Sequence, residues 1–77
     1  MVTRVTAMMI QGNVKDLKID TDKQNGKWAG HINLYKLGQF HTELASTTYI
    51  HRSDKEASDA AQIIIDEVCK LDLSKSI

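Results

Sequence analysis

The chain has 77 residues, with ten basic and ten acidic side chains and one cysteine, Cys69. Balanced charge excludes a global field that would draw it to nucleic acid or an anionic membrane, so any such binding has to come from a local patch. A single cysteine excludes an internal disulfide, the usual staple of small secreted domains.

A chain of this size has room for one domain, residues 1–77, and one modest core, close to the lower limit for folding alone. A dimer would relieve that margin. The opening M-V-T-R-V-T-A-M-M-I has neither a basic leader followed by a long apolar run nor a cleavage signal, and no apolar stretch approaches the roughly 20 residues that span a bilayer. The expectation is a complete cytoplasmic protein starting at its own Met1, with no membrane contact.

Residues 3–10 are β-branched or apolar with Thr and Arg interleaved, which reads as a first strand. After the turn signal Gln11-Gly12-Asn13, residues 14–21 alternate as a half-buried strand with Leu17 and Ile19 on one face and Asp16, Lys18 and Asp20 on the other. Asn25-Gly26 is a strong hairpin signal, because a type I′ turn needs positive φ at both central residues. Strands at 27–37 and 40–50 follow. The register can be tested, since opposed residues must share a face. A two-residue Asn25-Gly26 loop sets Leu17 opposite Leu34, Ile19 opposite Ile32 and Asp20 opposite His31. For the next hairpin, a three-residue Leu37-Gly38-Gln39 loop sets Leu34 opposite Thr42, Ile32 opposite Leu44, Tyr35 opposite His41 and Trp28 opposite Thr48. It keeps the apolar faces together, whereas a Gly38-Gln39 loop would mix them.

The chain then enters an amphipathic helix at 54–71. Ser53 and Glu56 have the spacing of a capping box, and Ala57, Ala61, Ile64, Val68 and Leu71 form one stripe, flanked by Ala60 and Ile65. The predicted architecture is α+β: a four-stranded antiparallel meander with one C-terminal helix packed on one sheet face. Trp28, Ile32, Leu34, Phe40, Leu44 and Ile50 are expected to face the helix. Gly30 falls on that face, where close helix packing explains a glycine in a strand. Cys69 is expected to be half-buried and structural, and the tail from Asp72 to Ile77 to be frayed, with Leu73 able to pack.

One helix covers one face. The uncovered face carries both tyrosines, Tyr35 and Tyr49, together with His31, His41, Asn33 and Glu43. Tyrosine is enriched at interfaces, though Tyr and Thr are also simply good strand formers. No catalytic, metal or cofactor motif is present. Asp20, His31 and Glu43 read as ordinary cross-strand neighbours, and His31 and His41 lie roughly 13 Å apart at strand rise, too far to close on one metal ion.

The function these features suggest is a small non-enzymatic protein-binding domain of unknown partner, of the inhibitor or antagonist type made by phages and mobile elements. Its expected site is the open sheet face, with Ile63 on the outer side of the helix as a second place for contact. Homodimerisation through strand 3–10 or the open sheet face is the companion expectation. The alternative is nucleic-acid binding. The run G-K-W-A-G-H-I, followed by a hairpin and an alanine-bearing helix, resembles plant AP2-type and integrase arm-binding DNA domains over Gly26 to about Ala61, which implies a DNA-reading sheet. Those families line the reading strands with arginine. Here the arginines are Arg4 and Arg52, neither in the central strands, so no functional residue is carried over.

Overall fold

The computed structural model describes residues 2–73. The order of elements is helix α1 (Arg4–Gly12), a single 3-10 turn (Val14–Asp16), strands β1 (Leu17–Gln24), β2 (Lys27–Lys36) and β3 (Gln39–Ser46), and helix α2 (Asp54–Cys69). The three strands form one antiparallel sheet in the order β1-β2-β3. Core residues from α1, β2 and α2 pack together, so the fold is α+β, with both helices on one face of the sheet.

The expected first strand is a helix, and the sheet has three strands rather than four. Thr3 is the N-cap, its side chain accepting from the amide of Thr6, and Ala7, Met8, Met9 and Gln11 then favour the helix. What overrides the β-branched Val5 and Thr6 is burial. Ala7 and Ile10 lie one turn apart and are both buried against Ala61, Ile65 and Val68 of α2. Met8 and Met9 are exposed on α1, so the proposed edge strand for dimerisation does not exist.

Helix α2 begins as its sequence predicts, with Ser53 accepting from the Glu56 amide. The Glu56 carboxylate lies 3.5 Å from His51 Nδ1. Ala57, Ala61, Ile65 and Val68 are the buried stripe; Ile65 takes the central place expected of Ile64, which is half-buried at the flank. The helix ends two residues earlier than expected, Leu71 is exposed, and Cys69 is exposed rather than half-buried. No glycine closes this end. Instead Gln11 of α1 donates its side-chain amide to the carbonyls of Val68, at 2.7 Å, and Leu71, at 2.9 Å, tying the end of α2 and the residues just past it to α1. The Arg4 guanidinium donates to the Leu73 carbonyl. Leu73 packs on the core; residues 74–77 of the expected frayed tail lie outside the described residues.

The first hairpin has the predicted register, with Leu17 opposite Leu34 and Ile19 opposite Ile32, and positive φ at Asn25 and Gly26. The second turn is one residue shorter than expected. Leu37 and Gly38 form it, both at positive φ, with Lys36 opposite Gln39 and Tyr35 opposite Phe40. Phe40 therefore sits beside Tyr35 on the uncovered face, 58% exposed, instead of in the core. A β-bulge at His41 then restores the predicted pairing of Leu34 with Thr42, and a second bulge at Leu44 sets Ile32 opposite Ala45. Leu44 and Ala45 consequently both pack on the core, as a bulge permits for two successive residues. Strand β3 stops at Ser46, and Ile50 is exposed rather than buried.

Gly30 is where sheet and helix come closest. A Cβ there would meet the Ala57 carbonyl oxygen at 2.5 Å and the Ala61 methyl at 3.0 Å, so the close packing expected of this glycine is present. The chain beyond β3 stays tied to β2. Thr47 donates its amide to the Gly30 carbonyl and accepts the Gly30 amide on its hydroxyl, both at 2.8 Å, and Trp28 exchanges two backbone hydrogen bonds with His51. Tyr49 is held between these two ties. No described helix is long and apolar enough to cross a membrane.

Candidate functional site on the uncovered sheet face

Two carboxylates of β1 organise this face. Asp20 is the register partner of His31, but its Oδ2 accepts from Asn33 Nδ2 at 2.7 Å and from the Tyr35 hydroxyl at 2.8 Å. Asp22, the register partner of Ala29, accepts from His31 Nε2 at 2.5 Å and from the Tyr49 hydroxyl at 2.8 Å to Oδ2. Each aspartate thus bonds the residue two positions further along β2 than its direct partner, a repeated diagonal within reach of long side chains across an antiparallel pair. On the other side of His31, Glu43 Oε1 of β3 lies 2.8 Å from Nδ1. The approach is an ion pair that falls short of in-line hydrogen-bond geometry, so the buried Nδ1 has no well-formed hydrogen-bond partner and Glu43 acts on it mainly through charge.

The rings are fixed by these bonds and by one another. Tyr49 meets His31 edge-on, with ring centroids 6.2 Å apart, and Tyr35 meets Phe40 edge-on at 6.0 Å. Lys18 Nζ stands 5.3 Å from the centroid of the Tyr35 ring. Because the Tyr49 segment is tied to the opposite side of β2, its side chain must cross that strand to reach Asp22. Ala29, the small residue under this crossing, is fully buried, and Asn33 is only 7% exposed. The centre of the face is therefore covered by its own side chains.

The electrostatics follow from the bonding. Asp20 is held below the usual carboxylate range by its hydrogen bonds from Asn33 and then Tyr35, and Asp22 by those from His31 and then Tyr49. Donating to a carboxylate stabilises a phenol, so the same bonds raise Tyr35 and Tyr49. At His31, desolvation is the largest influence and opposes the charge. The hydrogen bond to Asp22 and the charges of Glu43 and Asp22 together outweigh it, leaving the pKa above the ordinary histidine value.

Of the residues expected at this site, His31, Asn33, Tyr35, Glu43 and Tyr49 are brought together. His41 is not. It is the extra, exposed residue of the first bulge and takes no part in the network. Ile63 is 59% exposed and borders a separate groove of about 670 Å³ between the helices and β3, lined also by Val2, Thr6, Leu44, Ile64 and Leu71. Two residues were missed. Asp22 lies one residue past the expected end of the strand at 21, although the Lys18-Asp20-Asp22 alternation runs on toward the Asn25-Gly26 turn, and Phe40 is expected in the core.

Among the described residues, no group of three or more His, Cys, Asp or Glu side chains is disposed to hold a metal ion. Comparison with protein-family models, curated proteins and solved structures gives no match. The function has to be argued from the site.

Proposed function

We propose that this is a non-enzymatic binding protein that takes a protein partner on the uncovered face of its sheet. The observation that carries the reading is that both tyrosine hydroxyls on this face are anchored to β1, Tyr35 to Asp20 and Tyr49 to Asp22. Rings fixed before contact lose less side-chain entropy on binding. Phe40 stands exposed against Tyr35 and supplies the apolar anchor that interface centres favour.

Charge supports a protein rather than a nucleic acid. Asp20, Asp22 and Glu43 lie at the middle of the face, with Lys18 at its edge, and neither arginine is in the sheet. A phosphate backbone would meet carboxylates there.

The test is affinity capture from the native host with three proteins: wild type, Phe40→Asp and Ile63→Lys, each checked for folding by circular dichroism. The reading expects a protein captured by wild type and Ile63→Lys and lost with Phe40→Asp. Loss with Ile63→Lys alone would move the site to the helix groove. Capture of nucleic acid, weakening steeply with salt, would replace the reading.

A further inference from the structure

One side chain of the uncovered face meets β1, β3 and the segment that follows β3. His31 sits on the central strand with a carboxylate at each ring nitrogen, Asp22 of β1 at Nε2 and Glu43 of β3 at Nδ1, and the Tyr49 ring packs edge-on against it. Asp20, its direct cross-strand partner, adds a third negative charge. The helices lie on the other side of the sheet. Lys18, beside the Tyr35 ring, acts on Asp20, but among the described residues no lysine forms an ion pair with Asp22 or Glu43, whose partner is the imidazole.

A neutral imidazole carries one N–H and one lone pair. Either tautomer would turn a lone pair toward a carboxylate, at 2.5 Å from Asp22 or at 2.8 Å from Glu43. Only the imidazolium presents a proton to both. We propose that a proton on His31 clamps β3 to the rest of the uncovered face, and that its loss releases Glu43 while leaving the Asp22 side in place. The asymmetry comes from geometry. Nε2 makes a well-formed hydrogen bond to Asp22, the stronger hydrogen-bond influence on the imidazole, whereas the approach of Glu43 to Nδ1 is off-line and as a hydrogen bond contributes least, so Nδ1 is the position that gives up its proton. Glu43 also sits between the two bulges of β3, at His41 and Leu44, where the ladder that would otherwise hold the strand is interrupted.

The raised pKa of His31 sets the direction of the switch. A group raised in the folded state stabilises fully below its unfolded value, about 6.5, and that contribution is lost as pH rises through the folded value. The clamp is closed in mildly acidic solution and opens as pH rises through the folded value. It is a property of the isolated chain; that it would also govern partner binding rests on the function proposed above.

The test is NMR of the isolated protein, uniformly labelled with ¹⁵N, followed from pH 5 to 9, with Glu43→Gln and His31→Gln beside wild type. Glu43 is exposed for about half its side chain, so the near-isosteric Glu43→Gln keeps the fold. The expected result has four parts. His31 titrates above about 6.5. Its neutral form carries the proton on Nε2. The backbone amides of residues 42–46 shift with the same midpoint, and Glu43→Gln lowers that midpoint. A midpoint at or below 6.5, a neutral form protonated on Nδ1, amides of β3 that stay still, or a midpoint indifferent to Glu43→Gln would each overturn the proposal. In His31→Gln the β3 amides should show no transition in that range; a transition that persists there would assign the change to another group. Where a partner is in hand, binding that stays constant across the measured midpoint would separate the clamp from the binding function without touching the NMR result.

Discussion

The two faces of the sheet are held by different forces. Toward the helices, Ile32 and Leu34 of β2 are fully buried and Gly30 lets α2 come to backbone contact; burial of each large aliphatic side chain contributes roughly 1.5–3 kcal/mol before entropy. That face depends on volume and tolerates little change in shape. On the other side, Ala29 and Asn33 of the same strand are also buried, but within a lattice of hydrogen bonds among Asp20, Asp22, His31, Asn33, Tyr35 and Tyr49. This face depends on charge and therefore on pH. One strand thus serves two layers of opposite chemistry, and the difference teaches that burial in so small a domain need not mean an apolar core.

Substitutions can break each side separately. The largest effect is expected on the packed side. Gly30→Ala places a methyl 2.5 Å from the Ala57 carbonyl oxygen, and because a backbone atom cannot swing aside, the loss should be about 3 kcal/mol in urea unfolding. Next comes the joint between the helices. Gln11→Leu removes the donor to the Val68 and Leu71 carbonyls, for a loss of about 1–2 kcal/mol, together with faster amide exchange over the last turn of α2.

A smaller change of opposite sign sharpens the comparison at the turn that feeds both faces. Leu37 has a φ of 53° and a fully exposed side chain, so it has left-handed strain with no burial in return. Leu37→Gly should stabilise by about 1 kcal/mol at the thermal midpoint without moving Phe40. The smallest effect is on the polar side. Asp20 is lowered in the folded state, so its contribution is present above the unfolded value of about 3.9 and is lost as pH falls through the folded one. Asp20→Asn should flatten the acid limb of the stability profile and leave stability near neutrality closer to wild type than Gly30→Ala does.

Much of this was legible in the residues themselves. The α2 start is written in Ser53 and Glu56, and the first hairpin in Asn25-Gly26 and the alternation on either side. The close approach of α2 could be anticipated from a glycine at position 30. The departures have two causes. Val5 and Thr6 favour a strand as strongly as Met8, Met9 and Gln11 favour a helix, and only the stripe of α2 decides between them. Leu37, for its part, is a poor residue for a type I′ turn, which concealed the shorter loop, the compensating bulges and the outward placement of Phe40. At the candidate site, His31, Asn33, Tyr35, Glu43 and Tyr49 were visible as one face. Their hydrogen bonds were not, because the network runs along diagonals that direct register does not reveal.

Local chemistry alone determined the α+β class, the first hairpin register, the cap of α2 and the Ala57, Ala61 and Val68 part of its buried stripe, since each depends on residues a few positions apart or on a period of two or 3.6. Tertiary structure decided the rest. Whether residues 4–12 would be helix depended on Ala7 and Ile10 finding the apolar side of α2. Whether the uncovered face would be a row of separate polar side chains or one connected network depended on Asp22, His31, Glu43 and Tyr49 meeting from four separate segments. Neither outcome is a local property, because in both cases the partner that supplies the free energy lies far away in the chain.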